Sequence, residues 1–106
     1  MVKFFKENDL DYYVVGNLSN IIFRDGNIKK QIINIKNYND IIVEDEPDKF
    51  KVTACCGISI FKFVSFISQK LKISGLEGLV GIPGTLGGGI YMNASSYDSY
   101  ISQYLK

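Results

Sequence analysis

Glycine spacing constrains this chain more than any other feature. Seven of its ten glycines lie between Gly75 and Gly89, and Gly75, Gly78, Gly81, Gly84 and Gly87 recur at every third residue. Glycine loses more backbone freedom on folding than any other residue, so this density needs a physical reason. Two reasons stay open. Either the main chain passes too close to another backbone for a β-carbon, or bare N–H groups in tight turns form a concavity for a flat or anionic ligand. The segment Gly81-Ile82-Pro83-Gly84-Thr85-Leu86-Gly87-Gly88-Gly89 lacks the Gly-Lys-Ser/Thr ending of a P-loop and the Gly-x-Gly-x-x-Gly spacing of a dinucleotide fingerprint. One proline among the triplets is too few for collagen-like packing.

A second loop, Gly16-Asn17-Leu18-Ser19-Asn20, follows the β-rich run Asp11-Tyr12-Tyr13-Val14-Val15 and precedes another apolar run, Ile21-Ile22-Phe23. Its residues tolerate unusual backbone angles and carry short polar side chains. It is either an ordinary connection or a second anion site, in which N–H groups and the Ser19 hydroxyl hold a phosphate without lysine.

Elsewhere the pattern predicts an opening helix over Val2 to Glu7 ended by Asn8, a helix-then-strand half of a βαβ unit, and a hairpin-type turn at Arg24-Asp25-Gly26-Asn27. Gln31 to Ile35 reads as a strand, as do Ile41 to Val43 and Phe50 to Ala54. The acidic stretch Glu44-Asp45-Glu46-Pro47-Asp48 reads as an exposed loop rather than a metal site, because it lacks a glycine-turned array of spaced carboxylates. Ser59 caps a helix whose stripe Ile60, Phe63, Val64, Ile67 and Leu71 faces a core. After Gly75 turns are expected, with one short strand at Ile90 to Met92.

At 106 residues the chain suits one domain of modest core, and its seven Phe and seven Tyr argue for folding rather than disorder. A net charge of +1 gives no electrostatic case for nucleic acid or an anionic membrane. No apolar run reaches the ~18–20 residues of a membrane span, and Lys6 and Glu7 interrupt the apolar start as no signal peptide would be interrupted, so a cytoplasmic protein is expected. Histidine is absent, which removes Ser-His-Asp and Cys-His triads and His-ligated zinc. Cys55 and Cys56 are adjacent and read as reduced, mostly buried thiols.

Taken together, Tyr13-Val14-Val15-Gly16-Asn17-Leu18-Ser19-Asn20-Ile21-Ile22-Phe23-Arg24-Asp25, Gly75-Leu76-Glu77-Gly78-Leu79-Val80-Gly81-Ile82-Pro83-Gly84-Thr85-Leu86-Gly87-Gly88 and Tyr91-Met92-Asn93-Ala94 resemble the FAD-binding part of the UDP-N-acetylenolpyruvoylglucosamine reductase (UDP-N-acetylmuramate dehydrogenase) family. The resemblance implies an α+β fold, part of a two-lobed FAD-binding domain of the vanillyl-alcohol oxidase (PCMH) type. A small parallel βαβ lobe would cover about 1–43 and a mixed, antiparallel lobe about 50–106. It implies FAD as cofactor, NADPH as hydride donor and an enolpyruvyl UDP-sugar as substrate, in peptidoglycan synthesis.

By the same resemblance Gly16, Asn17, Ser19 and Asn20 would meet the FAD pyrophosphate. Gly81, Ile82, Pro83, Gly84, Thr85, Gly87 and Gly88 would line the flavin and its phosphates, Asn93 and Ala94 would close that wall, and Tyr97 would face the substrate. Leu18 stands where the family usually has glycine, Cys55-Cys56 replaces small residues, and Ser95-Ser96-Tyr97-Asp98 departs from the pattern Asn-Ala-Gly-Ala-Tyr-Gly. By the resemblance, the family's substrate domain, with its proton-donating serine and acidic partner, would lie beyond Lys106, and the opening strands of its FAD domain would be missing as well. No catalytic residue and no metal ligand is therefore expected in this chain, which alone should not turn over. A truncated form that binds FAD weakly or not at all, and another flavin oxidoreductase of the same superfamily, are the alternatives. An uncovered sheet edge would invite self-association.

Overall fold

The computed structural model of the chain describes residues 1–105. Helix α1 (Val2–Glu7) ends at Asn8, whose amide side chain donates to the Phe4 carbonyl at 2.8 Å. Strands β1 (Tyr12–Val15) and β2 (Gln31–Asn34) then pair in parallel, Tyr12 opposite Gln31 and Val15 opposite Asn34. Parallel neighbours need a crossover, so the Asp25-Gly26 bend joins no hairpin, contrary to its sequence signature. That crossover, residues 16–30, is irregular: Ile21 to Phe23 forms no strand, and no helix completes a βαβ unit between the pair. Gly16, Asn17, Ser19, Asn20, Asp25, Gly26 and Asn27 are poor helix formers, which accounts for the missing helix.

Strands β3 (Ile41–Glu46) and β4 (Lys49–Ala54) make an antiparallel hairpin turning at Pro47-Asp48, with Ile41 opposite Ala54 and Glu46 opposite Lys49. The acidic stretch thus belongs mostly to a strand rather than a loop. Glu44 pairs with Lys51 across the ladder at 2.8 Å, and Glu46 with Lys49 at 3.2 Å. Such exposed pairs add little stability, but opposite charges facing each other favour this register.

Helix α2 (Ile60–Lys70) follows its sequence pattern: the Ser59 hydroxyl accepts from the Lys62 N–H at 3.2 Å, and Ile60, Val64 and Ile67 are buried. With Ile58, Leu79, Leu86 and Ile101, residues Ile60 and Val64 form the core, flanked by Ile41, Ala54, Phe63, Leu76 and Ile82. Leu79 enters it from a 3-10 turn at Glu77–Leu79, and Ile101 from another at Ile101–Tyr104.

Between these turns lies the main departure from expectation. Leu86–Tyr91 is a helix, α3, where turns and a strand were predicted. Thr85 caps it, its hydroxyl accepting from the Gly88 N–H at 3.3 Å. Three helical glycines together cost up to about 3 kcal/mol relative to alanine. Close packing offsets part of that cost. The Gly87 N–H donates to the Cys56 carbonyl at 2.8 Å, and a β-carbon on Gly87 would lie 2.7 Å from that of Cys56. On Gly89 it would lie 2.8 Å from Ile60 Cδ1. A short hairpin, β5 (Ser95–Ser96) and β6 (Ser99–Tyr100), follows.

The radius of gyration, 16.0 Å, exceeds the ~13 Å of a compact 100-residue domain, consistent with extents of 48 × 30 × 20 Å. Val15 and Ile33 of the parallel pair are buried apart from the main core cluster. Among the described residues no helix is long and apolar enough to cross a membrane.

Candidate cofactor-binding site

The chain leaves β1 through Gly16-Asn17-Leu18-Ser19-Asn20 and enters α3 through Gly81 to Thr85, and the fold brings these two bends into contact. The Ser19 hydroxyl donates to the Pro83 carbonyl, 64 residues away, at 3.2 Å. Gly16 sits against Thr85, where a β-carbon would overlap the capping hydroxyl and lie 2.9 Å from Cγ2. Gly84 has φ +131°, a left-handed conformation that favours glycine, and a β-carbon there would be 3.0 Å from Ser19 Oγ.

These bends form one wall of an open groove of about 1420 Å³, larger than the ~300–1,000 Å³ of most small-molecule pockets. Gly16, Asn17, Ser19, Asn20, Ile82, Pro83, Gly84, Thr85, Gly87, Gly88, Asn93 and Ala94 all line it. Two residues singled out from sequence do not. Gly81 opens instead on a neighbouring cleft of about 480 Å³ that also holds Lys36 and Lys62. Tyr97 stands at the tip of the β5–β6 hairpin, 91% exposed and outside the groove lining. Both turn residues there have positive φ, +49° at Tyr97 and +62° at Asp98, as in a tight two-residue hairpin turn.

The close-packing explanation holds at several of the glycines. Gly16, Gly57, Gly87 and Gly89 admit close neighbours of the protein itself. Gly88 is different: it is exposed on the groove wall, and a β-carbon there would meet only Thr85 Oγ1, at 3.3 Å. Around it the main chain has free donors. The N–H groups of Asn17, Leu18, Ser19, Asn20, Gly84 and Thr85 find no main-chain acceptor among the described residues. Successive amides of this kind form an anion-binding nest.

Sequence reasoning missed much of the remaining lining. Ile21, Ile22, Phe23, Arg24, Ile28 and Lys29 of the crossover line the groove, as do Tyr91, Met92 and Cys56. Ile22 is 97% exposed, which no strand of a half-buried sheet explains. Cys56 is exposed rather than buried, because its peptide is pinned under Gly87 while its side chain borders the groove. Arg24 and Lys29 enter no ion pair among the described residues. Lys30 does: it lies 3.3 Å from Asp11 and 5.0 Å from the Tyr13 ring centroid. The hydrogen bond to Asp11, then that carboxylate's charge, hold its ammonium above the ordinary lysine range.

Leu18 carries a further consequence. Its φ is +60°, a conformation costing a non-glycine residue about 1–2 kcal/mol. Leu18→Gly is expected to stabilise the chain by about 0.5–1 kcal/mol, after subtracting the greater chain entropy of glycine. A raised urea midpoint at unchanged slope is the expected result, and a lowered midpoint would contradict it.

A groove of this size, lined by the two glycine-containing bends and by exposed apolar side chains, has room for a ligand with both a diphosphate and a flat ring. The sequence belongs to the FAD binding domain family, whose model matches residues 1–106. Within that class its similarity is to UDP-N-acetylenolpyruvoylglucosamine reductases. The Clostridium tetani protein is 37% identical over 105 residues, 99% of this chain and 33% of the relative. The Lactobacillus helveticus protein is 36% identical over 106 residues, 100% of this chain and 34% of the relative. That of Clostridium beijerinckii is 39% identical over 97 residues, 92% of this chain and 30% of the relative. The chain thus spans about a third of the length of these relatives.

Proposed function

We propose that this chain is the FAD-binding portion of a cytoplasmic reductase of peptidoglycan synthesis, with NADPH as hydride donor and UDP-N-acetylglucosamine enolpyruvate as substrate. The observation that carries the proposal is the junction of the two glycine-containing bends at Ser19 and Pro83, which gathers their free amides along one groove. FAD, when bound, would supply the two-electron redox chemistry, and reduction of the enolpyruvyl group to UDP-N-acetylmuramate needs one hydride, drawn from NADPH, and one proton.

The chain's own residues bind and orient. Amides of Asn17 to Asn20, Gly84 and Thr85 are proposed to hold the diphosphate, with Arg24 and Lys29 adding positive charge along the groove. Ile82, Pro83, Gly87 and Gly88 form the surface against the ring, with Asn93 and Ala94 beside them. Gly81 backs this wall from the smaller cleft. Tyr97, outside the groove, is proposed to meet the UDP-sugar. No residue of the chain is assigned proton donation to the substrate. A non-catalytic form with weak or no FAD binding is a second reading, favoured by the strained backbone at Leu18.

Purified protein is expected to carry, or take up, FAD with near-ultraviolet and blue absorption bands, and to show no UDP-sugar-dependent oxidation of NADPH by itself. Absence of flavin uptake would contradict the cofactor assignment. Turnover by the isolated chain would contradict the assignment of the acid to another part of a longer reductase.

A further inference from the structure

We propose that the smaller cleft is a second binding site, for a phosphate monoester carried on a flat ring, of which a mononucleotide is the simplest example. The proposal goes beyond the flavin reading of the larger groove and does not depend on it. Asn17 and Ile82 to Thr85 border both cavities. Lys36, Asn39, Phe61, Lys62, Val80 and Gly81, however, line the cleft and not the groove. At about 480 Å³ the cleft falls within the ~300–1,000 Å³ of small-molecule sites.

Its charge is of one sign. Lys36 and Lys62 are the charged residues of the lining, with no Asp or Glu beside them there. Both are exposed, and neither enters an ion pair among the described residues. Two ammonium groups match the roughly −1.5 to −2 charge of a phosphate monoester at pH 7. The side-chain amides of Asn17 and Asn39 have no hydrogen-bond partner among the described residues and can donate to phosphate oxygens. A bare phosphate would leave part of the lining without a function. Phe61 and Val80 are exposed apolar side chains of the same cleft, and Phe61 offers an aromatic face on which a flat ring can stack.

The test follows amide nuclear magnetic resonance shifts while adenosine monophosphate, inorganic phosphate or adenosine is added. It compares wild type, Lys36→Gln, Lys62→Gln and Lys70→Gln, the last a control at the far end of α2 and outside the cleft. All three lysines are exposed, so the variants are expected to stay folded, as thermal unfolding checks. Adenosine monophosphate is expected to move the Lys36, Asn39, Lys62 and Gly81 signals saturably, and to bind more tightly than phosphate or adenosine. Its affinity is expected to fall about tenfold in each cleft variant, as for one charge-assisted contact, and to stay unchanged in Lys70→Gln. Equal losses in all three variants, phosphate or adenosine binding as tightly as the nucleotide, or no saturable shift of these signals would each overturn the proposal. Displacement of the nucleotide from these signals by FAD would overturn it too, since the cleft would then belong to the flavin groove.

Discussion

Replacing Gly57 with alanine is expected to destabilise the protein by about 3 kcal/mol or more, the upper range for overpacking, against a total of roughly 5–15 kcal/mol for a domain. Gly57 is buried, and its missing β-carbon faces main chain rather than side chains. An added methyl group would overlap the Ile35 carbonyl oxygen and lie 2.5 Å from that of Tyr38. No rotamer change relieves this, because both oxygens belong to the segment linking β2 to β3. Movement of that segment would disturb the Ile35 N–H bond to Val15 and the Cys55 N–H bond to Asp40, at 2.9 and 2.8 Å. Urea unfolding followed by circular dichroism measures the loss. Gly81→Ala is the control, since nothing lies within 4 Å of the β-carbon it would add. Equal midpoints for the two variants would contradict the packing account.

Gly88→Leu is expected to do the reverse, keeping the fold while lowering FAD affinity about 100-fold, or roughly 3 kcal/mol. Gly88 is exposed on the groove wall, and Leu is a better helix former than Gly, so α3 loses nothing by propensity. Its β-carbon would meet only the capping hydroxyl of Thr85, at 3.3 Å, which a small adjustment relieves. The rest of the side chain projects into the space proposed for the ligand. Fluorescence titration of FAD reads the affinity, and thermal unfolding confirms the fold. Affinity within twofold of wild type would remove Gly88 from the ligand-facing surface.

These two substitutions separate what the sequence could and could not reveal about its glycines. Gly57 stands outside the dense run, and its constraint comes from the carbonyls of Ile35 and Tyr38, more than a dozen residues earlier in the chain, so nothing near it in sequence signals it. The Gly87 to Gly89 triplet read as turn, since glycine is a poor helix former. Thr85 capping and contact with Cys56 and Ile60 override that local preference, and only the folded chain displays either contact. Helix α2 was legible because its evidence is local: a Ser59 cap and an apolar stripe at helical spacing. The same is true of β1, β2, β4 and the first half of β3, which follow from β-branched runs, whereas Glu44 to Glu46 extend β3 where a loop was expected, because the pairing with Lys49 to Lys51 is not local. Ile21 to Phe23 is an equally apolar run, yet without a partner strand those residues border the groove. Of the candidate site, the residue types were visible and the meeting was not. Nothing local to Ser19 indicates that its hydroxyl reaches Pro83.

Whether the two bends act as one site is tested most directly by titrating FAD into isotope-labelled protein and following amide nuclear magnetic resonance shifts. The expected result is joint, saturable movement of the Asn17 to Asn20 and Gly84 to Gly88 signals with a single affinity, while the β3–β4 turn at Pro47-Asp48 stays still. Shifts confined to one bend, or scattered across the hairpin and α1, would contradict a shared cradle.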